Sequence, residues 1–310
     1  MKILILAPWG IGDFLFISKV IDSLKNKFPN YSIIVFTRNN AVKNFLEEIY
    51  QLEVINLEAK NLGLIAKLLI FTRFNYYFYS YGISKYKLFI FNLFIRSINT
   101  ISSLNYYKLE KSLRANHRII SNRILYDIIF KDKLIDSYYL PLSFNVGLKE
   151  TDVVIHVGSD NAQLYKRWPI DYWVSLVKKL EALNFNIGVI FGPSEKELIH
   201  HFNNLKCRIY NNLTFTEVVN ILDKSKLLIS SDSGIAHIAS SRNLTTITLF
   251  GPSDKKVFAP FVSNWTIEAK GFNCTPCITV DGEYGCKYAF CMMSIDVERV
   301  YIKALNILNV

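Results

Sequence analysis

The stretch LLISSDSGIAHIA, residues 227–239, predicts the fold class of this chain. A short apolar strand, LLIS, runs directly into the polar corner DSG, and the sequence then continues as a short helix. A buried strand followed at once by a helix is the repeating unit of parallel α/β sheets. The backbone N–H groups at the start of such a helix can bind an anion beyond the carboxyl end of the strand.

The same alternation of apolar runs and helix-period segments occurs twice along the 310 residues. In the first half the predicted strands are ILILA (3–7), SIIVFT (32–37) and EVINL (53–57). In the second half they are VVIHV (153–157), NIGVIF (186–191), LLIS (227–230) and TTITLF (245–250). Because a typical domain has about 100–200 residues, two domains are expected.

We therefore predict an α/β fold with two Rossmann-like domains that face each other across a cleft. Residues 1–150 form the first domain in this prediction and residues 151–295 the second, while residues 296–310 form a helix that packs back on the first domain. Residues 71–107 hold thirteen Phe and Tyr among scattered basic residues, and we predict them to be helical.

Basic residues are concentrated in the first half of the chain. The formal charge is +10, and residues 60–123 contain eleven Lys and Arg against one acid. This segment is interpreted either as a core with a solvated charged face or as a patch that meets anionic lipid or a phosphorylated glycan. A nucleic-acid partner is not expected, because no RNA- or DNA-binding motif accompanies the charge. No apolar run reaches the ~18 residues of a spanning helix, so we expect a cytoplasmic protein.

The first strand-to-helix corner that could hold catalytic or binding residues is APWGIGDF, residues 7–14. Gly10 and Gly12 allow the backbone to turn tightly after the first strand. Asp13 then either caps the following helix or acts as a catalytic base.

The second corner is HVGSDNAQLYKRWP, residues 156–169. Ser159, Lys166 and Arg167 could together hold a diphosphate, because a hydroxyl and a cation would address the same oxygens. The alternative is a solvated loop with ordinary surface charges.

The third corner is the opening stretch. The N–H groups of Ser233 and Gly234 stand where the helix dipole favours negative charge. Asp232 either contacts sugar hydroxyls or caps the helix. His237 in the first turn is either a packing residue or a ligand contact.

Five motifs occur together in the order and spacing of one family: GIGD (10–13), KRWP (166–169), DSGIAH (232–237), LFGPSD (249–254) and CTPC (274–277) with a later CM. The chain resembles the ADP-heptose:lipopolysaccharide heptosyltransferases of glycosyltransferase family 9, which have the GT-B fold. The resemblance spans nearly the whole chain except residues of about 60–130.

The resemblance implies an inverting, metal-independent transferase. Such an enzyme moves a heptose or related sugar from an ADP-sugar to a hydroxyl of a lipopolysaccharide, lipooligosaccharide or related surface glycan, at the inner face of the inner membrane. Asp13 would be the general base, and Lys166 would stabilise the departing ADP. The other implied donor contacts are Gly12, Ser159, Glu195, Asp232, Ser233, Gly234 and His237. By the same resemblance Glu195 would contact the nucleoside, and its alternative role is a favourable charge at a helix N-terminus. A nucleotide-sugar epimerase and a non-catalytic nucleotide-sugar-binding protein are the alternative functions.

Four of the five cysteines have the spacing Cys274-x2-Cys277-x8-Cys286-x4-Cys291. This spacing is typical of a structural Zn or Fe site, and free or redox-linked thiols are the alternative. In either case we expect a structural role, and no cofactor is expected for catalysis.

Overall fold

The structure is a computed structural model that describes residues 1–6, 10–37, 40–56, 67, 71–80, 95, 97–99, 109, 113, 116–143, 147–159, 161–262, 264–278 and 290–310. Within these residues the chain divides into two compact units, Met1–Leu142 and Ser143–Val310. The sequence predicted this boundary at residue 150, and the structure places it at residue 142.

The first unit contains a parallel sheet with the strand order β3-β2-β1-β4-β5. Its strands are β1 (Lys2–Leu6), β2 (Ser32–Thr37), β3 (Glu53–Asn56), β4 (Phe74–Tyr79) and β5 (Ser97–Asn99). The helices described here are α1 (Ile11–Leu15), α2 (Ser18–Lys27), α3 (Asn40–Tyr50) and α4 (Arg118–Phe130). The sheet thus begins with the three strands that the apolar runs predicted.

Strand β1 lies in the middle of this sheet because its sequence is apolar without interruption. Residues 3–6 are all buried, and Ile3 is in register with Ile33 on one side and Tyr76 on the other. A parallel strand with neighbours on both sides and helices on both faces has no solvent-facing side, so an alternating pattern is not needed.

Strand β4 corrects the helical prediction at residues 74–79, which lie within the segment 71–107. The segment FNYYFY pairs in parallel with β1, and Phe74, Tyr77, Phe78 and Tyr79 are all buried. Aromatic side chains favour strands because they pack well on a pleated, buried surface. The strand could not be recognised from the sequence, because the closely spaced aromatic residues follow neither the period of two of a strand nor the period of 3.6 of a helix.

The second unit contains a six-stranded parallel sheet with the order β11-β10-β9-β6-β7-β8. Its strands are β6 (Thr151–His156), β7 (Ile187–Ile190), β8 (Cys207–Tyr210), β9 (Ser225–Ser231), β10 (Thr245–Phe250) and β11 (Asn264–Glu268). Its α-helices are α5 (Ile170–Glu181), α6 (Phe215–Asp223), α7 (Gly234–Ser241), α8 (Lys255–Phe258), α9 (Phe290–Met293) and α10 (Val297–Leu308). Two 3₁₀ helices cover Asn161–Lys166 and Pro193–Phe202.

Helix α5 anchors the loop that precedes it. Its buried residues, Trp173, Leu176, Val177 and Leu180, follow the spacing of one helix face. Just before the helix, the indole N–H of Trp168 donates a hydrogen bond of 2.9 Å to the carbonyl of Ile295. The KRWP loop is therefore fixed to the core of the second unit.

The C-terminal helix α10 also belongs to the second unit. Its buried residues Val300 and Ala304 join the core that contains Trp173 and Leu180 of α5. Its apolar face therefore covers α5. That this helix also packs back on the first domain stays a prediction. Among the described residues, none of the helices has both the length and the apolar character needed to span a bilayer.

Candidate functional site

The second sheet has a topological switch point between β6 and β9. The two strands are neighbours, with His156 in register with Ser230, and the chain leaves them towards opposite edges of the sheet. Helix α7 begins just after β9, with Ser233 as its N-cap in an extended conformation. Ligands bind at such points in open α/β sheets, and the first N–H groups of the helix favour an anion there.

A buried ion pair occupies this corner. The ammonium group of Lys166 donates a hydrogen bond of 2.7 Å to Oδ2 of Asp232. Only 8% of Lys166 and 7% of Asp232 is exposed. Burial raises the pKa of the Asp232 carboxyl, but the charge and hydrogen bond of Lys166 outweigh burial and hold the pKa below its usual value. Asp232 is therefore ionised, and its close partner is Lys166.

Arg167, the neighbour of Lys166, contacts a different partner. Its Nη2 donates hydrogen bonds to Oε1 of Glu195 at 2.8 Å and to the carbonyl of Ser159 at 3.2 Å. The other carboxylate oxygen of Glu195 accepts from the N–H of Gly192 at 2.7 Å. The structure thus separates the predicted basic clamp: Lys166 pairs with Asp232, whereas Arg167 braces Glu195.

Glu195 is a buried acid that connects two loops. It is 3% exposed, and burial raises its pKa, an effect that the charge of Arg167 partly offsets. It also fills the space beside Gly158, where an added Cβ would lie 2.3 Å from the Cδ of Glu195. These contacts give the carboxylate a bracing role in the fold, and its contact with a nucleoside stays a prediction.

His156 is a residue of this corner that the sequence analysis did not select. Its Nδ1 lies 3.4 Å from the hydroxyl of Ser233. Burial and the charge of Arg167 lower its pKa to about 4, so the ring is neutral at neutral pH. The signal in the sequence was its place near the end of a predicted apolar strand, VVIHV (153–157).

Two other predicted residues are buried in the same corner. The hydroxyl of Ser159 donates to the carbonyl of Gln163 at 2.9 Å, which closes its own loop. His237 is 4% exposed on the first turn of α7, and its charge helps to lower the pKa of Asp232. Gly234 is the first residue of α7.

Asp13 and Gly12 lie in helix α1 of the first unit. The N-cap of this helix is Gly10 in an extended conformation, and Asp13 is the third residue of the helix. The alternative that Asp13 caps the helix is therefore corrected, because the helix begins at Ile11 and Asp13 lies inside it. Asp13 instead places its charge in the first turn, where the dipole favours it.

The described cysteines do not form a metal site. Cys274 is exposed, Cys277 is half-buried and Cys291 is buried, whereas Cys286 lies outside the described residues. In the part of the chain that the structure describes, no three His, Cys, Asp or Glu side chains are grouped to hold a metal. Cys291 instead packs beside Gly251, where an added Cβ would lie 2.8 Å from its Sγ.

Most of the basic segment 60–123 lies outside the described residues. This includes Lys85 and Lys87, the two lysines nearest to its centre. The prediction of an anionic surface as partner therefore stays a prediction.

Comparisons with known proteins agree with the motifs. Residues 139–287 match the family model of glycosyltransferase family 9 (heptosyltransferase). The chain is 27% identical over 128 residues to lipopolysaccharide heptosyltransferase 3 of Escherichia coli, in a match that covers 39% of this chain and 37% of that protein. The chain thus spans little more than a third of the length of this curated relative in the match.

Two solved structures are similar over the full length of the chain. ADP-heptose lps heptosyltransferase II of E. coli has a TM-score of 0.72 at 18% identity, covering 100% of this chain and 99% of that chain. E. coli heptosyltransferase WaaC with ADP has a TM-score of 0.69 at 13% identity, covering 99% of this chain and 100% of that chain. The predicted α/β fold of the GT-B type is therefore confirmed. The resemblance to glycosyltransferase family 9 is confirmed as well, because residues 139–287 match the model of that family.

Proposed function

We propose that this chain is an inverting glycosyltransferase. It moves a heptose, or a related sugar, from an ADP-sugar to a hydroxyl of a lipopolysaccharide, lipooligosaccharide or related surface glycan. The observation that carries the proposal is the buried Lys166–Asp232 pair at the switch point, beside the start of helix α7. A buried cation next to a helix N-terminus suits the diphosphate of a nucleotide sugar. The family domain and its heptosyltransferase relatives support the same donor class.

In this reaction the acceptor oxygen attacks the anomeric carbon of the donor sugar. The carboxylate of Asp13 takes the proton of the acceptor hydroxyl as the new carbon–oxygen bond forms. The bond between the anomeric carbon and the β-phosphate oxygen breaks, and ADP leaves with the electron pair. Because attack and departure occur on opposite faces of the sugar, the anomeric configuration inverts.

Lys166 has the central role for the leaving group. Negative charge grows on the β-phosphate as the bond breaks, and the ammonium group stabilises it together with the N–H groups of Ser233 and Gly234. Asp232 keeps Lys166 charged and in place before the donor arrives. Its carboxylate can also accept hydrogen bonds from hydroxyls of the donor sugar, which was the role expected from the sequence.

Catalysis is proposed to need no metal ion, because Lys166 and the helix N-terminus supply positive charge where a metal would otherwise act. A chelator such as EDTA should therefore leave the initial rate unchanged. A rate that falls with EDTA and returns with Mg²⁺ or Mn²⁺ would contradict this part of the proposal.

The transferase is favoured over the epimerase and the binding protein because the matched family and relatives are heptosyltransferases. Incubation with the donor alone separates these functions. A transferase leaves most of the donor intact, an epimerase converts it to an epimer or a free sugar, and a binding protein gives no product even when acceptor is present.

We also propose that the enzyme works at the cytoplasmic face of the inner membrane, where residues 60–123 would meet anionic lipid or glycan phosphates. The excess of basic residues in this segment supports the proposal. Co-sedimentation with vesicles of anionic lipid should weaken with salt and with neutralisation of Lys85 and Lys87. Binding that resists both changes would rule out the electrostatic attraction.

The test of the proposed function uses purified protein, ADP-heptose and a glycan acceptor extracted from cells. Wild-type protein should release ADP only when acceptor is present, and Asp13→Asn should lose this release. Asp127→Asn is a matched control, because Asp127 is also a carboxylate of the first unit and pairs with Arg123 on α4. Full activity of Asp13→Asn would refute the assigned base, and acceptor-independent ADP release would refute transfer.

A further inference from the structure

A cavity lies at the carboxyl ends of β10 and β11. Its volume is about 260 Å³. Residues that line it include Phe250, Ser253, Lys256, Glu268, Ala269 and Pro276. None of these residues was assigned a role in the sequence analysis.

This cavity adjoins the Lys166–Asp232 pair. The N–H of Asp232 donates to the carbonyl of Leu249 at 3.2 Å, and the next residue, Phe250, lines the cavity. The hydroxyl of Ser253 lies close enough to the carboxylate of Asp232 to help lower its pKa. A ligand held at the pair could therefore extend directly into the cavity.

The lining of the cavity suits a neutral polyhydroxylated group. Lys255 and Lys256 balance Asp254 and Glu268, so the charged lining residues have no net charge. Ser253 is 4% exposed. Although its hydroxyl lies near Asp232, none of the described residues meets the distance and angle of a normal hydrogen bond with it. A buried hydroxyl without a full hydrogen bond favours a ligand that can donate or accept one. Sugar hydroxyls do both.

The strand order gives the cavity a direction relative to the diphosphate. In a nucleotide sugar the diphosphate lies between the nucleoside and the sugar. With the diphosphate at the end of β6 and β9, Glu195 stands on the β7 side and the cavity on the β10 side. If the nucleoside extends towards Glu195, the sugar extends towards β10.

We propose that this cavity receives the sugar of the nucleotide-sugar donor and determines which sugar is accepted. The inference rests on the proposed function. Its volume is below the ~300 Å³ at which sites for drug-sized ligands begin, so the cavity takes a single sugar ring rather than the whole donor. Ser253 and Glu268 are the specificity-determining residues, because one offers a buried hydroxyl and the other a carboxylate at the rim.

The test compares the binding of ADP with that of ADP-heptose by calorimetry. Ser253→Ala and Glu268→Gln should each weaken ADP-heptose by about 3- to 10-fold, the usual range for one lost hydrogen bond, and change the Kd of ADP by less than about twofold. Glu298→Gln is a matched control for Glu268→Gln. Both changes break a surface ion pair of similar exposure, Lys179–Glu298 in one case and Lys255–Glu268 in the other.

The outcomes separate the two proposals. If wild-type protein binds neither ADP nor ADP-heptose, the proposed function fails and the sugar site with it. If wild-type protein binds both, but Ser253→Ala and Glu268→Gln weaken ADP and ADP-heptose equally or change neither, only the sugar site is overturned. Glu268 lies at the surface, so its variant gives a result even if Ser253→Ala does not fold.

Discussion

The Lys166–Asp232 pair allows its roles in stability and in catalysis to be separated by substitution. Lys166→Met removes one partner and leaves the carboxylate of Asp232 buried without its cation. Loss of one member of a buried pair costs about 3–5 kcal/mol of stability. Because 7% of Asp232 stays exposed at a corner open to ligand, we expect the lower end, about 3 kcal/mol.

The double variant Lys166→Met with Asp232→Asn should restore most of this loss. It removes the uncompensated charge and keeps side chains of similar volume, so its free energy of unfolding should lie within ~1 kcal/mol of wild type. Transfer should not recover, because the cation at the leaving phosphate is still missing. The loss of one such group typically lowers kcat by about 10²–10³-fold.

The assays are urea unfolding for stability and acceptor-dependent ADP release for kcat/KM. The buried pair Arg242–Asp223 is the matched control, with its Nη2–Oδ2 distance of 2.6 Å and both side chains almost fully buried. Arg242→Met should lower stability as Lys166→Met does, and adding Asp223→Asn should restore most of that loss. Both variants should leave kcat/KM of the folded protein close to wild type. Recovery of transfer in the Lys166→Met, Asp232→Asn variant would refute the role of Lys166 in departure of ADP.

Three further outcomes follow from single contacts. Gly158→Ala should destabilise the protein by about 1–3 kcal/mol in urea unfolding, because the new Cβ would overlap Glu195; equal stability would show that the loop yields freely. Since the folded pKa of His156 is about 4, below its usual 6.5, the unfolded chain takes up the proton first and stability falls as pH drops from about 6.5 to 4. His156→Gln should flatten this fall by roughly 1–3 kcal/mol, partial exposure reducing the effect, and an unchanged pH profile would contradict it. Tyr77→Phe should be neutral or stabilising by thermal unfolding, because the buried Tyr77 hydroxyl makes no hydrogen bond with the described residues; a clear loss of stability would reveal a partner.

Uninterrupted aliphatic strands could be predicted from the sequence alone. The apolar runs at β1 and β9 are continuous, short and bounded by polar corners, which favours a buried strand over a helix. Strand β4 could not be predicted in this way, because its aromatic run fits a buried strand and a buried helix equally well. Its place beside β1 depends on pairing over some seventy residues, which local patterns do not contain.

The sequence indicated which residues belong to the candidate site, but not which of them contact each other. Lys166 was expected near a diphosphate from the corner in which it stands, whereas Asp232 was expected to contact sugar hydroxyls or to cap the helix. Their contact joins residues 66 positions apart and depends on the neighbouring positions of β6 and β9 in the sheet. The partner of Arg167 was likewise hidden, because Glu195 lies 28 positions away on the 3₁₀ helix that follows β7.

The central claim, transfer of a sugar to a surface glycan, is tested most directly by mass spectrometry of that glycan from a strain in which the gene for this protein is deleted. Transfer of a sugar to that glycan predicts a truncated glycan that lacks one sugar and everything attached beyond it. Wild-type protein should restore the full mass, whereas the Asp13→Asn and Lys166→Met variants should not. A glycan of unchanged mass in the deletion strain would contradict the proposed function.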